Sequence, residues 1–381
     1  MNEDSFKIIV TTLKGLEGVL EHEIRRMGVR RTRRLVRAVE LYGDKALIYE
    51  LNLRLATALR ILKPVAHLRN LKSVAAIYNK IYDLPWEQWF FSRKRIFFHV
   101  SGQLDTVSHT HFVSQKVKDA IADRFHDRFG HRPDVRKEGA EIRINLHLFR
   151  DQMTVSLDSS GEPLFKRGYR QETGPAPVNE VLAAGLIRLA RWEGDTHLID
   201  PMCGSGTIPI EGALLAKNIP PGIFREEFSF MHWNDYDDVL FNKIKETLSE
   251  KIKRPFELIK IIGYDRDAHV LEAAKRNAAH AKVDDYVICE AKDFFDTKKI
   301  PGPVKLIFNP PYDRRLTLPV REKFYRRIQE HLTLAYPLSE VWILTADPPH
   351  RLFPGMKPVR VYSLMNGKIP VYFSGFKTGL A

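Results

Sequence analysis

The chain has 381 residues with 44% apolar and 28% charged side chains, which supplies a buried core and excludes a disordered chain. No apolar run approaches the ~18 residues of a membrane helix, and the start, Met1-Asn-Glu-Asp-Ser, is acidic where a secretory signal is basic. Two cysteines, Cys203 and Cys289, exclude a disulfide framework and a cysteine-based zinc site, so a soluble, cytoplasmic, reducing setting fits. The formal charge of +13 is uneven: residues 1–170 hold 31 basic and 20 acidic side chains, residues 171–381 hold 29 and 27. A basic half beside a nearly neutral one is the footprint of a polyanion-binding surface.

In chain order, residues 6–13 read as a strand, and Val19–Met27 as a helix with Leu20, Ile24 and Met27 on one face. A basic run, Arg30, Arg31, Arg33, Arg34 and Arg37, precedes a strand-like Ala46–Leu51. Residues 52–62 and 71–81 look helical, and Arg95–Ser101 is an aromatic, β-branched strand. Ser114–Arg128 has helical period, with Val117, Ile121 and Phe125 on its inner face. Strands at Ala140–Leu148 and Met153–Leu157 predict a hairpin, and the Gly, Pro and basic-rich stretch Gly161–Pro177 marks a join.

From residue 179 onward helices and strands alternate, the signature of a mostly parallel α/β sheet. Helix 179–191 leads to strand His197–Asp200, a glycine loop and helix 208–217. Further strands are expected at Ile259–Tyr264, Tyr286–Glu290, Val304–Phe308 and Val341–Ala346. The segments Val359–Leu364 and Ile369–Phe376 form a hairpin across Asn366-Gly367. The polar, aromatic stretch from Asn218 to about Pro255 reads as an insertion.

Polar groups fall at four successive strand ends, where α/β sheets bind ligands. Asp200-Pro-Met-Cys-Gly-Ser-Gly-Thr207 turns a strand into a helix with glycines that admit a ligand close to the backbone. It lacks the third glycine of a dinucleotide fingerprint, which disfavours a nicotinamide dehydrogenase. Asp265 in Gly-Tyr-Asp-Arg-Asp suits a ribose diol, Asp293-Phe294 suits an adenine, and Asn309-Pro-Pro-Tyr312 closes the set.

These four motifs resemble those of S-adenosylmethionine-dependent methyltransferases acting on exocyclic amino groups. The wording Asp200-Pro-Met-Cys-Gly-Ser-Gly-Thr-Ile-Pro-Ile-Glu-Gly-Ala, with Lys166-Arg-Gly-Tyr-Arg170 upstream, is similar to THUMP-containing guanine-N2 methyltransferases of large-subunit ribosomal RNA. His109-Thr-His-Phe, Lys116-Val-Lys-Asp-Ala-Ile, Phe149-Arg-Asp and Leu157-Asp-Ser-Ser-Gly161 resemble the THUMP part. The resemblance implies a ferredoxin-like domain over 1–65, a THUMP domain over 66–160 and a Rossmann-like methylase with a seven-stranded sheet over 161–381. It implies the form with one methylase domain and a single activity. The implied cofactor is S-adenosyl-L-methionine, held by Asp200, Met202, Gly204, Ser205, Gly206, Thr207, Asp265, Arg266, Asp293 and Phe294. The implied partner is structured RNA, 23S rRNA or a precursor particle, contacted by Lys116, Lys118, Arg124, Arg167 and Arg170. No metal, no membrane and no obligate protein partner is expected.

The chemistry agrees. An aromatic amine is a poor nucleophile because its lone pair is delocalised, and Asn309 with the Pro310 carbonyl can accept both of its N–H bonds. Tyr312 would stack on a base drawn out of its own stack. The same motif serves adenine-N6 methylation of DNA or RNA, and a non-catalytic RNA-binding scaffold is a third reading. Cys203 offers the thiol that pyrimidine C5 methylation needs, but lies in the wrong loop. His109 and His111 lack further metal ligands, Trp86 and Trp89 suit a core, and Asp347-Pro-Pro-His350 reads as a strand-to-helix turn.

Overall fold

The computed structural model describes residues 5–105, 107, 110–171, 178–253, 258–311 and 318–379. Among them are two seven-stranded sheets. The first is built from β1 (Phe6–Thr11), α1 (Glu17–Arg26), β2 (Thr32–Leu35), β3 (Ala38–Gly43), α2 (Lys45–Arg54), β4 (Arg60–Leu68), α3 (Val74–Tyr82), β5 (Ile96–Leu104), α4 (Thr110–Phe129), β6 (Ile142–Arg150) and β7 (Gln152–Asp158). Its strand order is β2-β3-β1-β4-β7-β6-β5. β4 pairs with β1 on one side and β7 on the other, so residues 65 and 66 lie within one shared strand. The period of α4 puts Val117, Ile121 and Phe125 in the core beneath it.

Two expectations fail here. Ala46–Leu51 is helix, not strand: the Asp44 carboxylate accepts from Leu47 N at 2.9 Å as an N-cap, and Ile48 and Leu51 bury one face. Residues 52–62 are not one helix, because α2 stops at Arg54 and β4 starts at Arg60. The basic run contains β2, whose Arg33 pairs with Glu40 at 2.9 Å and whose Arg34 pairs with Glu21, so part of it is neutralised. Apolar runs this short carry no period that separates the two states.

The second sheet takes α5 (Glu180–Leu189), β8 (His197–Asp200), α6 (Thr207–Ala216), α7 (Asp238–Glu250), β9 (Ile261–Asp265), α8 (Ala268–His280), β10 (Val287–Ala291), β11 (Val304–Phe308), α9 (Leu318–Ala335), β12 (Glu340–Thr345), α10 (Pro349–Leu352), β13 (Arg360–Asn366) and β14 (Ile369–Lys377). Its order is β10-β9-β8-β11-β12-β14-β13; the first five strands are parallel, and β14 runs antiparallel to β12 and β13. Strand order reverses at β8, which has β9 on one side and β11 on the other, and this is where such sheets open a crevice.

The insertion after α6 belongs to the first core. Phe228, Phe230, Trp233 and Phe241 are buried there, Phe230 lies 4.5 Å from the Tyr49 ring, and Asp237 N donates to Tyr49 Oη at 3.0 Å. In return Leu16 is buried in the second core, and Glu23 of α1 pairs with Arg188 of α5 at 3.0 Å. The two sheets are thus fastened by exchange of apolar side chains. Among the described residues no helix is long and apolar enough to cross a membrane.

Candidate active site

β8 ends on Asp200, and the chain reaches α6 through a loop in which Gly204 (φ 54°) and Gly206 (φ 82°) are left-handed. That conformation favours glycine, and a Cβ on Gly206 would also lie 3.0 Å from Ala274 Cβ. Cys203 N donates to Tyr264 O at 2.9 Å, and Gly204 N donates to Asp265 Oδ2 at 2.9 Å. The loop after β8 is therefore pinned to the end of β9. Asp265 Oδ1 accepts from Asp267 N, leaving a lone pair on each oxygen for a further donor such as a ribose hydroxyl. Arg266 follows on the exposed rim.

Asp200 is buried and accepts from Met202 N at 3.1 Å. Burial, and secondarily the Asp265 charge, hold its carboxyl well above the ordinary carboxylate range.

Behind the loop stands a set of buried polar side chains. Asn277 of α8 donates to Ser205 O at 3.2 Å and accepts from Gln171 N at 3.1 Å. Arg170 donates to Thr207 Oγ1 at 2.6 Å and pairs with Glu180 at 3.0 Å. Arg167 lies against Glu211, whose carboxylate also accepts from Tyr169 Oη at 3.0 Å. Of Asn277, Glu180 and Glu211, only Glu211 carries a signal in the sequence, in the Ile-Pro-Ile-Glu that continues the loop.

At β10 the Asp293 carboxylate caps a short turn by accepting from Phe295 N at 2.9 Å. The Phe294 ring does not offer a face to a ligand. It is buried against Phe308 and the His331 imidazole, 5.7 and 4.7 Å away by ring centroids. An apolar ring next to a hydrophobic sheet gains more from the core than from the crevice.

β11 lies directly beside β8, and Asn309 is the first residue beyond it. Its Oδ1 is buried and has no hydrogen-bond partner among the described residues. A buried acceptor left unmet carries a desolvation cost of about 1–3 kcal/mol, so the site is built to receive a donor. Pro310 is buried next to it, and Tyr312 lies outside the described residues.

The remaining candidates separate cleanly. Cys203 is buried against Gly263, and burial pushes its thiol well above the usual range, so it is no thiolate nucleophile. Trp86 is fully buried and donates to Ile81 O, a core role. His109 lies outside the described residues, and His111 is exposed. Asp347 lies in the turn into α10, its carboxylate 3.2 Å from Arg321. Two of the five expected RNA contacts are corrected: Arg124 is held by both oxygens of Glu87 and Arg167 is enclosed with Glu211, so both guanidinium groups are buried. Arg170 is partly buried and tied to Glu180 and Thr207. Lys118 is exposed, and Lys116 pairs with Asp119 at 3.2 Å.

Fold and crevice together define a doubly wound α/β methyltransferase joined to an α+β body. Residues 167–372 match the RMKL-like methyltransferase domain, residues 72–158 the THUMP domain and residues 7–62 the RlmL ferredoxin-like domain. The chain belongs to the RMKL-like methyltransferase family. It is 33% identical over 376 residues to the Ribosomal RNA large subunit methyltransferase K/L of Psychromonas ingrahamii, covering 97% of this chain but half of that relative's length. It is 30% identical to "Putative RNA methyltransferase slr0064" of Synechocystis sp., over 94% of each chain. The structure of SMU.472 complexed with SAH superimposes with a TM-score of 0.87 at 28% identity, covering 100% of this chain and 99% of that one.

Proposed function

We propose that the protein transfers a methyl group from S-adenosyl-L-methionine to the exocyclic N2 of a guanine in large-subunit ribosomal RNA, in the cytoplasm. The observation that carries this reading is the buried, unpartnered Oδ1 of Asn309 at the edge of the crevice beside the β8 loop. The names of the full-length and half-matched relatives, and the SAH in SMU.472, support the cofactor and the RNA substrate.

The residues present fit that cofactor. The loop of Asp200, Met202, Gly204, Ser205, Gly206 and Thr207 lets its backbone approach a ligand, Asp265 keeps lone pairs for a ribose, and Asp293 serves the adenine. Asp200, held above its usual range by burial, suits the ammonium end. When bound, the cofactor supplies a methyl group on a sulfonium, already activated toward a nucleophile. The chain's own contribution is to bind and orient the amine. Asn309 Oδ1 and the Pro310 carbonyl accept its two N–H bonds, drawing the nitrogen lone pair out of conjugation, while prolines hold those acceptors in place. Tyr312 stacks on the base, which has left its own stack. Positioning for in-line attack is then most of the catalysis.

Nucleoside analysis of rRNA incubated with the protein and labelled cofactor tests this. N2-methylguanosine is the expected product. N6-methyladenosine would move the assignment to adenine, and no labelled nucleoside would overturn it.

A further inference from the structure

The strands β5, β6, β7 and β4 bury one face beneath α3 and α4, where Ile144, Leu146 and Val155 are fully enclosed. Alternation turns the intervening positions to the opposite face. Toward the second sheet that face is covered: Arg143 N donates to Ser229 Oγ of the insertion at 3.3 Å, and Arg143 and Asn145 are buried. Beyond Asn145 the cover stops.

There the register aligns Ser101, His147, Thr154 and His67 in one row across four strands. Ser101 Oγ lies 3.2 Å from His147 Nδ1, and Thr154 Oγ1 lies 3.1 Å from His67 Nδ1, which fixes both imidazoles. The next row places Gln103 beside Phe149. Phe149 is 58% exposed, and the Arg150 guanidinium sits 5.3 Å from its ring centroid. A large aromatic left this open on an interior strand, among fixed hydrogen-bonding side chains, matches a base-stacking surface rather than an apolar protein contact. The exposed Arg150 beside Phe149 puts positive charge at the patch itself.

We infer that this open sheet end is a platform for unpaired nucleotides of the RNA substrate, with a base stacked on Phe149 and its neighbours held by Gln103, His147 and His67. This rests on the RNA-methyltransferase reading and goes beyond it in naming where, and in what form, the RNA is held. A duplex hides its base faces and cannot use such a surface.

The test uses the full chain, a short unstructured RNA oligonucleotide, a duplex RNA and an rRNA transcript. Phe149→Ala should weaken the oligonucleotide by about 5- to 150-fold, the range for losing one stacked base. The slope of log affinity against log salt should stay unchanged, since no phosphate contact is lost. Phe149→Trp should retain binding, and neither variant should change cofactor affinity. Equal affinity of Phe149→Ala and wild type, preference of the wild type for duplex, or an effect of Phe149→Ala only on binding another protein would overturn the platform. Wild-type protein that neither binds nor methylates rRNA would overturn the functional reading itself. Methylation by Phe149→Ala with an unchanged KM would sink the platform alone.

Discussion

Arg167 and Glu211 meet at 3.3 Å with both side chains 1% exposed, at the point where the linker, the first sheet's body and α6 converge. Arg167 also donates to the carbonyls of Leu164 and Ala56, and Tyr169 donates to the same carboxylate. Removing one partner strands a buried charge, which costs about 3–5 kcal/mol. Glu211→Gln and Arg167→Met should each lower the unfolding free energy by that amount in urea titrations. Because α6 starts at the end of the glycine loop, cofactor affinity should fall with it. An unchanged urea midpoint would show that the junction is held by other contacts.

Asn309 should separate stability from activity. Asn309→Ala removes an acceptor that the free protein leaves unmet, so the variant should unfold at the same or higher denaturant. Turnover should fall about 100- to 1000-fold, as for loss of one preorganised polar group at a reacting centre. Cofactor affinity, read by calorimetry, should be unchanged. A fall in cofactor affinity equal to the fall in turnover would place the side chain in cofactor binding instead.

Asp200 predicts a pH dependence whose sign follows from its burial. Its folded pKa lies above the unfolded value of about 3.9, so the folded state binds the proton more tightly. Stability of the cofactor-free protein should therefore decline as pH rises from about 4 through the raised folded value. Asp200→Asn should remove that decline and raise the melting temperature at neutral pH while weakening cofactor binding. A flat wild-type profile over this range would mean the carboxyl ionises at no cost.

The strand-end loops were legible because their chemistry is local. Gly204 and Gly206 advertise left-handed backbone, Asp200 and Asp265 each close a strand, and Asn309 directly follows one, each strand marked by an apolar run. What failed depends on partners distant in sequence. Nothing near Arg167 announces Glu211, forty-four residues on, and nothing near Arg124 announces Glu87. A lysine or arginine in a basic half reads as a phosphate contact until its acid is found in space. Ala46–Leu51 is ambiguous for another reason: a six-residue run with five apolar side chains fits either period, and the deciding cap, Asp44, lies outside the run. Phe294 misled because a motif gives the residue but not the side of the sheet to which its ring turns.

Gly263 and Cys203 provide a double-mutant test of how the β8 loop is seated. A Cβ on Gly263 would lie 2.8 Å from Cys203 Sγ and 3.1 Å from its Cβ, with Pro209 Cγ at 3.3 Å. Gly263→Ala must therefore push the segment that carries Gly204, and cofactor affinity should fall. Cys203→Ala removes the sulfur and, since the thiol is buried and protonated, should leave methyl transfer near the wild-type rate. Combined, Cys203→Ala should restore much of the affinity lost in Gly263→Ala, a coupling of about 0.5–3 kcal/mol for residues in contact. Strict additivity would mean that the loop shifts for a reason other than this contact. An inactive Cys203→Ala that still binds cofactor would return the thiol to the list of reacting groups.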